Sequence, residues 1–175
     1  MKSIKKLFNT KIPTKNYFIV FLVSILVIII TLYIRSFYLN YYESQINTSV
    51  FFNKNINQMN TSDFDYALNG VSEAILYVSY TGDKEIYNME KRLYKELKKK
   101  NLTSKIIYWD VSDFDNNGYI NTLKEKFPEI EEQITNAPLL IYIKDGVAIE
   151  AMSSELKLID YVVLNKLIEK YEIEW

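Results

Sequence analysis

Hydrophobic and polar positions divide the 175-residue chain into one uniformly apolar stretch and a longer part in which short apolar runs alternate with amphipathic ones. The stretch Tyr17–Ile34 (YFIVFLVSILVIIITLYI) holds eighteen residues without a charge, and Ser24 and Thr31 are its polar residues apart from tyrosine hydroxyls. As a helix it reaches roughly 27 Å, enough to cross the hydrocarbon core of a bilayer. It predicts a transmembrane helix over residues 17–34. A cleaved signal peptide would need small residues before the cut, whereas the bulky, aromatic IRSFYLNYYES follows, so the helix reads as an uncleaved anchor. Residues 35–60, rich in Asn, Ser, Tyr and Gln and free of Pro and Gly, read as a juxtamembrane stalk, helical or partly ordered.

From Thr61 the pattern becomes that of a globular domain. Ser62 can cap a short helix, with Asp65 three residues on and Asn69-Gly70 at its end. Ala74–Tyr80 reads as a strand and Thr81-Gly82-Asp83 as a turn. Asp83 is the N-cap residue of a helix running to about Lys100, with Ile86, Met89, Leu93 and Leu97 on one stripe. Lys98-Lys99-Lys100 suits the negative end of that helix and reads as a solvated terminus, not a phosphate site. Lys105–Val111 is a second strand, and Tyr119–Phe127 is a helix limited by Pro128. Leu139–Ile143 and Val147–Met152 form a hairpin around Asp145-Gly146. Ser153 or Ser154 caps a last helix whose face carries Leu156, Ile159, Val163 and Leu167. This order predicts an α/β domain over residues 61–175: one mixed sheet with helices on both faces, its first two strands parallel and its hairpin antiparallel.

Charge sharpens the division. Residues 1–16 carry five lysines (Lys2, Lys5, Lys6, Lys11, Lys15) and no acid, while residues 36–175 carry 15 basic and 22 acidic side chains. The basic tail beside an apolar helix points to a lipid bilayer and, by the positive-inside bias, to a cytoplasmic N-terminus and an extracellular domain. The acidic remainder argues against nucleic acid as a partner. Tyr17, Phe18, Tyr33, Phe37, Tyr38, Tyr41 and Tyr42 cluster at the ends of the helix, where rings with one polar edge favour the membrane interface. The chain has no cysteine and no histidine, which removes disulfides, thiol nucleophiles, Cys/His zinc sites and imidazole acid–base chemistry.

The segment Asn136-Ala137-Pro138-Leu139-Leu140-Ile141-Tyr142-Ile143-Lys144-Asp145-Gly146 resembles the thioredoxin fold, in which a proline, cis in that family, directly precedes a buried strand and a hairpin. Tyr108-Trp109-Asp110-Val111 is similar to the family's strand ending in aspartate. The resemblance covers residues 61–175. With its N-terminal anchor the chain more narrowly resembles the thioredoxin-like bacteriocin transport accessory proteins of Gram-positive bacteria. One departure changes the expected activity: where that family carries Cys-x-x-Cys, this chain has Tyr80-Thr81-Gly82-Asp83-Lys84-Glu85-Ile86. The thiolate is the attacking species in disulfide exchange, so the family's redox reaction is excluded, and neither an enzyme nor a cofactor is expected.

The resemblance further implies a cleft beside the proline loop in which an extended peptide pairs with the backbone at Ala137 as an added strand. Thr81, Gly82 and Asp83 would face it from a helix N-terminus with free N–H groups. The competing reading is that Pro138 only shapes a turn and Asp83 only caps a helix. Asp113, Asp115 and Asn117, with Gly118 at the sixth position, begin a calcium-loop pattern, but the twelfth position is Lys124 where a bidentate glutamate is needed. A surface turn is the alternative there. Glu129, Glu131 and Glu132 have no evident pocket and no assigned role. The expected function is an extracytoplasmic binding module for an exported peptide or a transporter subunit. The alternative is an inert spacer or assembly partner acting through its helix and stalk.

Overall fold

The computed structural model describes residues 14–51, 56–68, 71–153, 159 and 161–173. The chain divides into two compact units between Glu43 and Ser44. The first consists of most of a single helix, α1 (Thr14–Ile46), which is long and apolar enough to cross a membrane. Its apolar side chains are exposed on every side, as lipid contact requires and a domain surface does not. Ser24 and Thr31 return their hydroxyls to the helix, donating to the carbonyls of Val20 and Val27 at 2.9 and 2.8 Å. Neither hydroxyl is then left without a partner on this apolar helix. Of the basic tail, residues 1–13 lie outside the described residues.

The second unit is a five-stranded mixed sheet in the order β1-β3-β2-β4-β5. Its strands are β1 (Asn57–Met59), β2 (Glu73–Ser79), β3 (Ile106–Asp110), β4 (Leu139–Lys144) and β5 (Val147–Ser153). β3 pairs parallel with both β1 and β2, whereas β4 runs antiparallel to β2 and β5. The central strands are covered on both faces, which is why they read as continuous apolar runs. Ala74, Leu76, Val78, Ile107, Trp109, Leu139, Ile141 and Ile143 face a core closed by α2 (Phe64–Leu68), α4 (Gly118–Lys126) and the 3-10 turns of Pro128–Gln133. Ile75, Tyr77, Ile106, Tyr108, Leu140 and Tyr142 face the other core, closed by α3 (Lys84–Lys99) and α5 (Tyr161–Tyr171).

Three expectations change. The second compact unit begins at Ser44, ahead of the boundary expected at Thr61. Phe51 is fully buried, with its ring 5.3 Å from Tyr77 and 5.4 Å from Tyr108, and the polar-looking Asn57–Met59 is an edge strand on which Met59 alone points inward. The first short helix is entered through a 3-10 turn, Thr61–Asp63, and Ser62 donates to Asp63 instead of capping. The last helix starts at Tyr161, because Ser153 still pairs with Leu139 in β5. Asn69-Gly70, Ser154 and Leu156 lie outside the described residues.

Because Phe51 fills the centre of an aromatic cluster, Phe51→Ala leaves a cavity against Tyr77, Tyr94 and Tyr108. It is expected to cost about 3–5 kcal/mol in a denaturant titration of the full chain in detergent. Loss of less than about 1 kcal/mol would return residues 44–56 to the status of a stalk.

Candidate functional site

The parallel strands β2 and β3 end side by side, and the loop entering β4 returns beside them. Crevices at the carboxyl ends of such strands are where open α/β sheets take ligands. A cleft of about 330 Å³ opens there, lined by Tyr80 and Thr81 just after β2, by Val111, Ser112, Phe114 and Asn117 in the loop between β3 and α4, by Tyr119 of α4, and by Asn136 and Ala137 of the proline loop. The lining is aromatic, hydroxyl and amide, with no carboxylate and no cation. Burial, and after it the charge of Asp83, pushes the Tyr80 phenol above its ordinary range, so it stays neutral at physiological pH.

Of the residues singled out by sequence, Thr81 and Ala137 face each other across this cleft, while Gly82, Asp83 and Pro138 do not line it. The Ala137-Pro138 bond is cis. Gly82 takes a left-handed conformation (φ 90°) that disfavours any side chain. Two of the N–H groups expected to be free, those of Thr81 and Gly82, are occupied. Thr81 donates its N–H to Ser112 Oγ at 2.8 Å, and Gly82 donates to the Ile46 carbonyl at 3.1 Å. The Asp83 carboxylate accepts from Glu85 N (2.7 Å) and Ile86 N (3.1 Å), which fills the N-terminus of α3. Ser112 is itself held by Asp110, to which it donates from both its N–H and its hydroxyl. Across the cleft, the Ala137 N–H donates to the Tyr119 hydroxyl at 2.8 Å, so the strand-pairing donor also has a partner. Ser112 and Tyr119 escaped the sequence reading because side chains that satisfy backbone groups leave no motif.

The calcium reading does not assemble. Asp113 borders a separate cleft with Met59 and Trp109, whereas Asn117 faces the one described above. Asn116 and Asn117 are left-handed, and Gly118 is already helical. Among the described residues no group of three His, Cys, Asp or Glu side chains converges.

One ionisable group was missed altogether. Glu90 lies on the buried stripe of α3, four residues after Ile86 and three before Leu93, and its side chain is 2 % exposed. It accepts hydrogen bonds from Ser79 Oγ at 2.8 Å and the Tyr77 hydroxyl at 3.1 Å. Burial without a cation raises its pKa to about 7, and these hydrogen bonds only partly offset the shift. An acid at an apolar stripe position was visible in the sequence and is the signal that could have found it.

No family model matches the chain, and no curated protein matches it in sequence. Solved structures do. Thioredoxin f2 of Chlamydomonas reinhardtii is 11% identical, with a TM-score of 0.50 over 69% of this chain and 99% of its own. The oxidised thioredoxin of Plasmodium falciparum is 18% identical over 67% of this chain and 99% of its own, at a TM-score of 0.44. Mitochondrial thioredoxin 3 of Saccharomyces cerevisiae is 17% identical over 66% and 94%, at 0.46. At these identities the likeness is one of fold: residues 44–175 form a thioredoxin-like domain, and the Cys-x-x-Cys motif is absent from it.

Tyr119→Phe removes the acceptor for a buried N–H and is expected to cost about 1–3 kcal/mol, read as a lowered midpoint in urea; no change would mean water replaces the phenol. The raised pKa of Glu90 contributes stability that is complete below its unfolded value of 4.5 and is lost as pH rises through about 7. The unfolding free energy of Glu90→Gln minus that of wild type should therefore grow by about 3 kcal/mol between pH 4.5 and 8. A constant difference across that range would contradict the buried, unpaired carboxyl.

Proposed function

We propose that this chain is a membrane-tethered, redox-inactive binding module that displays its thioredoxin-like domain outside the cytoplasm. The five lysines ahead of the apolar run of α1 and the single Arg35 behind it support that orientation. The domain holds a protein partner in the cleft between Thr81 and Ala137. An exported peptide such as a bacteriocin, or a subunit of its transporter, fits a tethered domain that keeps this crevice and lacks thiols. The observation that carries the reading is the cleft itself: about 330 Å³ at the carboxyl ends of the parallel strands, uncharged and lined by rings and amides. Such a lining suits desolvation of a partner side chain more than proton transfer.

A second reading, the inert spacer, is favoured by one specific observation. Both backbone donors at the cleft, Thr81 N and Ala137 N, already have internal acceptors. A photoreactive amino acid at the exposed Asn136 separates the two in intact cells, with Ser104, outside the cleft, as the control. The module reading expects a discrete adduct from position 136 that position 104 does not give, and function that survives exchange of the anchor helix. Loss of function on anchor exchange, with no adduct from 136, would establish the spacer.

A further inference from the structure

Glu90 is a buried carboxyl that the cleft does not use. Its walls are of unequal strength. β2 supplies Tyr77 and Ser79 from the middle of the sheet, paired on both sides by β3 and β4. β3, next to β2, supplies Tyr108 and Asp110, and the Asp110 charge further disfavours an anion at position 90. α3 carries Glu90 itself, and its Lys91 lies over the Tyr87 ring, 5.4 Å from its centroid. The remaining wall is Ser49–Phe51, which belongs to no helix or strand and brings no ionisable group. It is held by the Val50 N–H on Glu90, by Phe51 N on Ser49 Oγ at 3.1 Å, by Gln58 Nε2 on the Phe51 carbonyl at 3.2 Å, and by burial of the Phe51 ring.

We propose that Glu90 is a proton-controlled latch that fastens residues 49–51, the link between the apolar helix and the first strand, onto the domain. With a proton, the carboxyl rests among hydroxyls at no charge cost. Without it, a buried anion faces no cation among the described residues, and water reaches it at the least cost by lifting Ser49–Phe51, since the other walls are sheet and helix ladders. Lifting adds those residues to the tether. Because burial places the titration near pH 7, the change falls within the range a cell surface experiences.

Amide hydrogen exchange on the full chain in lipid nanodiscs tests this. After correction for the intrinsic pH dependence of exchange, protection of the Val50 and Phe51 amides should fall about tenfold from pH 6 to pH 8, the change expected when the closed form titrates near 7 and the open form near 4.5. In Glu90→Gln protection should not change over that range. The wild type also carries its own control, for the carbon-13 titration of the Glu90 carboxyl should share its midpoint with the loss of protection, whether or not the variant folds. Flat protection in wild type, an equal fall in the variant, or a carboxyl that titrates while both amides stay protected would overturn the latch.

Discussion

The architecture depends on β2 being buried on both faces at once. From Ala74 to Ser79 every side chain is buried, even numbers facing one core and Ile75 and Tyr77 the other. A strand with no solvent face needs two hydrophobic layers, so helices must close both sides of the sheet. Its neighbours are fixed as a consequence, β3 parallel and β4 antiparallel, and the ends of the first two set the floor of the cleft. The same constraint creates the polar problem at Ser79 and Tyr77, whose hydroxyls are carried into the core and find their acceptor in Glu90. Cleft and buried carboxyl thus share the terminal turn of one strand, above and below the same sheet.

Much of the domain was legible because its elements obey simple periods. The strands from Glu73 onward, the stripe on α3, the Asp83 cap and the Asp145-Gly146 turn all followed from local pattern, with strand ends shifted by one residue. The apolar helix was equally plain. What stayed hidden is instructive in physical terms. β1 is an edge strand, so Asn57 and Gln58 face solvent and three residues of alternation read as loop. Phe51 gave no signal because its neighbours in the core, Tyr77, Tyr94 and Tyr108, lie far along the chain. The start of α5 was misplaced because a serine suits both a helix cap and a strand end.

The candidate site was half legible. Position came from topology and from the Ala137-Pro138 loop, and of the five residues named, Thr81 and Ala137 line one cleft. Availability of their backbone groups could not be foreseen, because it turns on Ser112, from the loop after β3, and Tyr119, from α4. Backbone amides in a crevice are seldom left unpaired, so a site that has lost its former ligands tends to satisfy itself from within. The cleft presents side chains more than backbone, a different recognition surface from the added strand that the fold resemblance implied.

That self-satisfaction separates this turn from a thiol site in more than the missing sulfur. A reactive thiolate at a helix N-terminus draws its stability from unpaired N–H groups and from the positive end of the helix dipole. Here both are spent on the Asp83 carboxylate, which accepts from Glu85 and Ile86 while Ser112 holds the preceding turn. A thiol placed in this turn would meet a resident anion, which raises a thiol's pKa where the reaction needs it lowered. The turn is built to be electrostatically quiet. The chemically unusual carboxyl of the domain lies not in the cleft but beneath the chain segment that leads to the apolar helix.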